Sequence, residues 1–290
     1  MNVMGRNNDS PKRDVSRSFF IWGLLVAAIF SALTRLPAIW QDQSPFMFCD
    51  EEWLFYPDVI TMLRTGSFSS GMFLSGPMNV YPVWIVTRLI ELFVPLSDSQ
   101  VLLVGRLVLP FGLGTLSVIP LALFIKYLTG LRYLGLIGVA LYVFSSFLSA
   151  VSRIWYPDHF IFFFAALVAM FSARLIIADK PYLTAFMLGI SSAMVFSVKY
   201  HSAILGIMII LSFAMRYKRL NSYNLRKLEL VWSFLTFLLT AVGFTLVFHL
   251  NSILRFDQFL DQQRSNFENY SRPGADLTEG LAGCLLYTSD

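Results

Sequence analysis

An all-α, polytopic transmembrane helical bundle is what this sequence predicts, on three observations. Of its 290 residues, 56% are hydrophobic and 14% charged, with a mean hydropathy of +0.64 and 28 phenylalanines, more apolar mass than a soluble core absorbs. The apolar residues come in successive long runs, so one helical bundle is the natural unit. The bases behind the net charge of +4 sit in short clusters between those runs and not along one face. They read as topology signals and give no nucleic-acid footprint.

Residues 1–17 form a polar tail in which Arg6, Lys12, Arg13 and Arg17 outnumber Asp9 and Asp14, which predicts a cytoplasmic N-terminus. The first span, Ser18 to Ala38, ends in "TRLPAIW" and not in the small residues of a cleavage site, so it reads as an uncleaved anchor. Further spans are expected at about 101–127, 133–151, 159–178, 182–198, 200–215 and 229–250. The run 81–96 is short for a bilayer of about 30 Å and carries Arg88 and Glu91, so it suits the interface. Charge bias agrees: if 81–96 does not cross, 13 of the 22 Lys and Arg share the side of the N-terminus. That topology needs a tight external turn at "KYHS", Lys199 to Ser202.

The same topology gathers polar residues on the outer face. The loop from Trp40 to Pro82 holds Asp42, Asp50, Glu51, Glu52 and Asp58 against one base, Arg64. "SRIWYPDH", Ser152 to His159, and the segment after Arg255 join it there. In "FMFCDEEWLFYPD" successive carboxylates point in different directions on a helix, so one can face a cleft while others face water. A carboxyl held beside the flanking aromatic rings has a raised pKa, which suits a general base; a plain solvated loop is the alternative. Asp158 has the position of a helix N-cap, with Arg153 at the same boundary. Lys199 and His201 end one span and begin another, where a lysine either snorkels to the interface or meets a lipid phosphate. Arg106 lies about a turn inside its span, where a guanidinium needs a carboxylate, carbonyls or a bound anion.

Nucleotide-binding, metalloprotease and serine-hydrolase motifs are missing from the sequence, and the three histidines are scattered. "PFGLGT", Pro110 to Thr115, reads as a kink or a close helix contact. Cys49 and Cys284 have no metal-ligand spacing. The closing "CLLYTSD", 284–290, is what a transposase mosaic end from sequencing-library preparation encodes in one frame. It is therefore expected to be an adapter scar, leaving residues 18–283 as a transmembrane domain incomplete at its C-terminus.

These residues carry a resemblance. An N-in first span followed by an external loop with the acidic pair Asp50-Glu51 resembles the GT-C class of membrane glycosyltransferases. More narrowly it resembles family 39, which includes protein O-mannosyltransferases and the aminoarabinose transferase of lipid A. "GRLVLPFGLGTLSV", "SRIWYPDHFIFFF", "VFSVKYHSAIL" and the segment after Arg255 are similar to later family elements in the same order. Departures are the extra acid Glu52 and "GPMNVYPVW" in place of a P-P-rich stretch.

The resemblance implies inverting transfer of a sugar from a polyprenyl-phosphate donor to a hydroxyl of a protein, lipid or glycan acceptor. It implies catalysis by Asp50, Glu51 and Asp158, with Arg106, Arg153, Lys199 and His201 binding the substrate phosphate. Some members need a divalent cation and others do not, so Mg or Mn is the cofactor candidate, with Asp50 and Asp158 as its ligands. The expected location is the plasma (inner) membrane of a prokaryote, the site facing outside or the periplasm. The alternative is a transporter or flippase for an amphipathic lipid, which predicts an inverted repeat and charges near the bilayer midplane; the sequence has no internal repeat.

Overall fold

The computed structural model describes residues 10–40, 55–66, 78, 80–145, 157–198, 200–220, 225–261 and 264; at some helix ends it describes the backbone alone. Every regular element among them is helical. α1 (Ser10–Trp40) is followed by two short helices, α2 (Tyr56–Thr65) and α3 (Tyr81–Glu91). α4 (Asp98–Arg106), a π-helical turn (Leu107–Leu113), α5 (Gly114–Leu116) and α6 (Val118–Thr129) form one 32-residue rod. α7 (Arg132–Val143), α8 (Pro157–Ile177), α9 (Pro181–Phe196), a 3-10 turn (Tyr200–Leu205), α10 (Gly206–Leu220), α11 (Leu225–Phe248) and α12 (Leu250–Leu254) follow.

Among the described residues, four helical segments are long and apolar enough to cross a membrane: Arg17–Leu36, Asp98–Thr129, His159–Ile177 and Leu228–Phe248. Only 6% of the most apolar window in Leu228–Phe248 is buried, and 17% of that in Arg17–Leu36. Side chains such as Trp22, Leu239 and Val247 therefore stand exposed, which is stable where lipid replaces water. Seven spans were expected. α7, α9 and α10 have 12, 16 and 15 residues, about 18, 24 and 22 Å at 1.5 Å per residue, less than the hydrocarbon core of about 30 Å. α9 is held by its neighbours: it packs most extensively on α11 and α8, while Tyr182, Leu183, Phe186 and Met187 of its first turns stay exposed. A Cβ on its Gly189 would stand 2.9 Å from the Phe237 carbonyl oxygen and 2.8 Å from Thr240 Cβ, so α9 and α11 touch backbone to backbone.

α3, at 11 residues, is about 16 Å long, about half the hydrocarbon thickness. It pairs with α2 over α4, burying Val59, Met62, Val83, Val101 and Leu102. α2 ends on Gly66 at φ +67° and α6 on Gly130 at φ +76°, the left-handed cap that glycine adopts without a Cβ penalty.

The basic turns share one end of the bundle. Lys126 lies 5.4 Å from the Phe20 ring centroid, with Arg132 and Arg17 as charged neighbours. Tyr127, Arg174 and Lys180 line one cavity. Arg216 reaches from α10 to the last turn of α8. Among the side chains described there, eight bases (these six with Lys218 and Arg219) face two acids, Asp179 and Glu229. Arg216 departs from the expectation that the bases sit in short clusters between the apolar runs. α10 continues to Leu220, and Arg216, 5% exposed in its side chain, donates to the carbonyls of Leu175 (2.6 Å) and Ala178 (3.0 Å) and pairs with Glu229 (2.8 Å). A cation capping the carbonyl end of α8 offsets that helix's dipole.

Candidate functional site

At the opposite end, one buried cluster joins five parts of the chain. It contains Phe55, Val59 and Met62 of α2 and its approach, Val80 and Val83 of α3, Val104 and Leu109 on either side of Arg106, Phe160 at the start of α8, and Val198 just after α9. The burial of these apolar side chains, worth about 1.5–3 kcal/mol each against exposure, fixes the helix ends in register.

Two ion pairs line the rim. Arg88 donates to the Leu63 carbonyl at the end of α2 (2.5 Å) and pairs with Glu91 on its own helix (3.2 Å). Arg64, the base of the acidic loop, pairs with Asp98 at 2.6 Å in full view of solvent. Tyr56 stands beside this pair; burial raises its phenol pKa, Asp98 adds to the rise and Arg64 opposes it.

Arg106 is 3% exposed and ends α4 where the π-helical turn begins. The turn surrounds Pro110, which has no N–H for the helical ladder and whose ring clashes with the preceding turn. The kink expected at "PFGLGT" is thus a change of helix type, and the close contact is real as well: a Cβ on Gly114 would stand 2.9 Å from Arg35 Nε.

Arg35 is the buried charge that sequence reasoning missed. It is 3% exposed near the end of α1, and its Nη1 donates to the Ser31 carbonyl (3.0 Å) and the Ser31 hydroxyl. Its Nη2 donates to the Tyr142 hydroxyl (3.0 Å), which donates to the Gly114 carbonyl (2.8 Å). Tyr142 also stacks on Phe162 at 4.9 Å. The network ties α1, the rod, α7 and α8 together. A lone arginine in an apolar run, four residues after a serine, was the available signal.

Of the expected site residues, Asp50, Glu51, Arg153 and Lys199 lie outside the described residues, and for Asp158 and His201 the backbone alone is described. Asp158 is the second residue of α8, which begins at Pro157, and not its N-cap; proline at the first helical position needs no N–H partner. His201 falls in the 3-10 turn, where a span was expected to begin.

No protein-family model, curated protein or solved structure matches the chain. The site is therefore read from its own residues. Among those described, no group of three or more His, Cys, Asp or Glu side chains could hold a metal ion; Asp50 and the Asp158 side chain, the expected ligands, are not among them. The described part offers an acid- and base-bearing rim over an apolar cluster, with buried guanidinium groups behind it. Fixed positive charge beside apolar walls stabilises a developing anion more strongly than it would in water.

Proposed function

We propose that the protein is a GT-C-like, family 39-like glycosyltransferase acting at the membrane face opposite its basic end, which by charge bias is the non-cytoplasmic face. The observation that carries this reading is the shared cluster of Phe55, Phe160 and Val198 with the two neighbours of Arg106. These three residues stand five, two and one positions from Asp50, Asp158 and Lys199, and an extended chain spans at most about 3.6 Å per residue. That described residues near these three positions pack in one cluster supports the reading.

The chemistry follows from the residue types. An acceptor hydroxyl attacks the anomeric carbon of a polyprenyl-phosphate sugar, the carbon–oxygen bond to phosphate breaks, and the configuration inverts. Asp50 takes the acceptor proton, with Glu51 beside it, and Asp158 orients the acceptor. Arg153, Lys199 and His201 bind the leaving phosphate, and Arg106, closed off from solvent, contributes its charge from within the bundle. A divalent cation, where required, would take Asp50 and Asp158 as ligands and neutralise the phosphate.

Asp50→Asn should abolish glycosyl transfer from a polyprenyl-phosphate donor while expression and membrane insertion stay intact. Near-normal turnover in that variant would remove the base assignment. Glu51→Gln and Asp158→Asn, measured beside it, rank the carboxylates.

A further inference from the structure

The cavity between α6, α8 and α9 lies at the basic end, away from the proposed reaction. It encloses about 420 Å³ and combines two kinds of lining. Arg174, Lys180 and the Tyr127 phenol supply positive charge and a hydrogen-bond donor, while Ile177 and Leu183 supply an apolar wall. Asp179 is the acid in the wall, so the two bases outnumber it. On the far side of Tyr127, Lys126 is neighboured by Arg132 and Arg17 and has Phe20 and Tyr127 as its aromatic partners. Across the α8–α9 turn a second, polar cavity of about 180 Å³ shares Ile177, Ala178 and Asp179 and adds Arg219.

Both position and composition restrict the occupant. Arg174 stands in the last turn of α8, and Lys180 immediately precedes α9, so the cationic wall is at the boundary where a membrane-spanning helix leaves the hydrocarbon. A soluble polyanion would find no use for Ile177 and Leu183, and an acyl chain alone would find none for Arg174 and Lys180. A headgroup phosphate with a chain attached satisfies both walls. Basic pockets between membrane helices at a cytoplasmic interface have the electrostatics to hold anionic headgroups, each base near the surface adding to the attraction.

We propose that this cavity seats the headgroup of an anionic phospholipid from the surrounding leaflet. Its phosphodiester lies between Arg174 and Lys180, and its glycerol end and first methylenes lie against Ile177 and Leu183. The proposal does not depend on glycosyl transfer.

The test is lipid binding by the full chain in nanodiscs and by native mass spectrometry. Phosphatidylglycerol should bind in a saturable, one-to-one manner at least about fivefold more tightly than phosphatidylcholine, since two charge contacts each contribute a severalfold factor. Arg174→Gln/Lys180→Gln should erase that preference, the charge-retaining Arg174→Lys/Lys180→Arg should keep it, and Lys218→Gln, at the same end but outside the cavity, should leave it unchanged. Equal binding of the two lipids, an equal loss in Lys218→Gln, or a preference surviving in the double glutamine variant would overturn the proposal. Inorganic phosphate competing as effectively as the lipid would overturn the assignment to a lipid.

Discussion

Replacing Arg216 by methionine separates two ion pairs that distance alone would rank as equals. Arg216–Glu229 spans 2.8 Å and Arg64–Asp98 spans 2.6 Å. Their surroundings differ: the Arg216 side chain is 5% exposed, whereas those of Arg64 and Asp98 are 68% and 54% exposed. Arg216→Met keeps the apolar stem but strips the donor from the Leu175 and Ala178 carbonyls and leaves Glu229 half-buried without its partner. Breaking a buried pair in this way costs about 3–5 kcal/mol. Glu229 can still reach water, so the low end, about 3 kcal/mol, is expected. Arg64→Met should cost about 0–1 kcal/mol, because water screens both partners. At about 2–4 °C per kcal/mol for a chain of this order of size, the melting temperature in one detergent should fall by about 6–12 °C for Arg216→Met and by less than about 4 °C for Arg64→Met. Equal shifts, or a larger one for Arg64→Met, would refute the argument that burial and not distance sets the strength of these pairs.

Gly114→Ala should lower the melting temperature more than Gly206→Ala. A methyl at 114 meets Arg35 Nε at 2.9 Å, whereas nothing lies within 4 Å of one at 206, the first residue of α10, where alanine gains at most about 1 kcal/mol of helix propensity; the reverse order would argue against the buried Arg35 network. Tyr142→Phe removes the hydroxyl that accepts from Arg35 and donates to Gly114. It should cost about 1–3 kcal/mol in the same assay, the penalty for stranding buried polar partners. The raised pKa of Tyr56 predicts an alkaline weakness: its contribution to stability is present below the unfolded-chain value of about 10 and is lost as pH rises through the higher folded value. Tyr56→Phe should flatten the alkaline limb of a denaturation-against-pH curve, and an unchanged limb would count against burial as the cause.

Run length and charge bias located the long helices to within a few residues: the expected 101–127, 159–178 and 229–250 lie within or close to Asp98–Thr129, Pro157–Ile177 and Leu225–Phe248. That Tyr81–Glu91 is too short to span was legible as a short run with two charges. Composition could not separate a span from a half-length helix packed against two others, because α9 is apolar along most of its surface whether lipid or protein covers it. Nor could it separate a surface arginine from a buried one. Arg216 looks like its neighbours Lys218 and Arg219 in sequence, and only the last turn of α8, about 40 residues upstream in the chain, makes it a cap. In the candidate site, Arg106 was legible as a base inside an apolar run, while Arg35 owes its role to Tyr142, 107 residues away.

The π-helical turn Leu107–Leu113 also sets an angular phase. A helix advances about 100° per residue, and a π-turn accommodates surplus residues without ending the rod. Deleting one residue of Leu107–Leu113 would let the ladder close as a regular α-helix with Asp98–Arg106 in nearly the same phase, whereas deleting one from the regular turns of Val118–Thr129 would swing everything upstream by about 100°. Arg106 would then rotate out of the packed interior, and α2 and α3, which rest on α4, would lose their seat. The rod should therefore tolerate the loss of one residue in this turn far better than a loss in the regular helix that follows it.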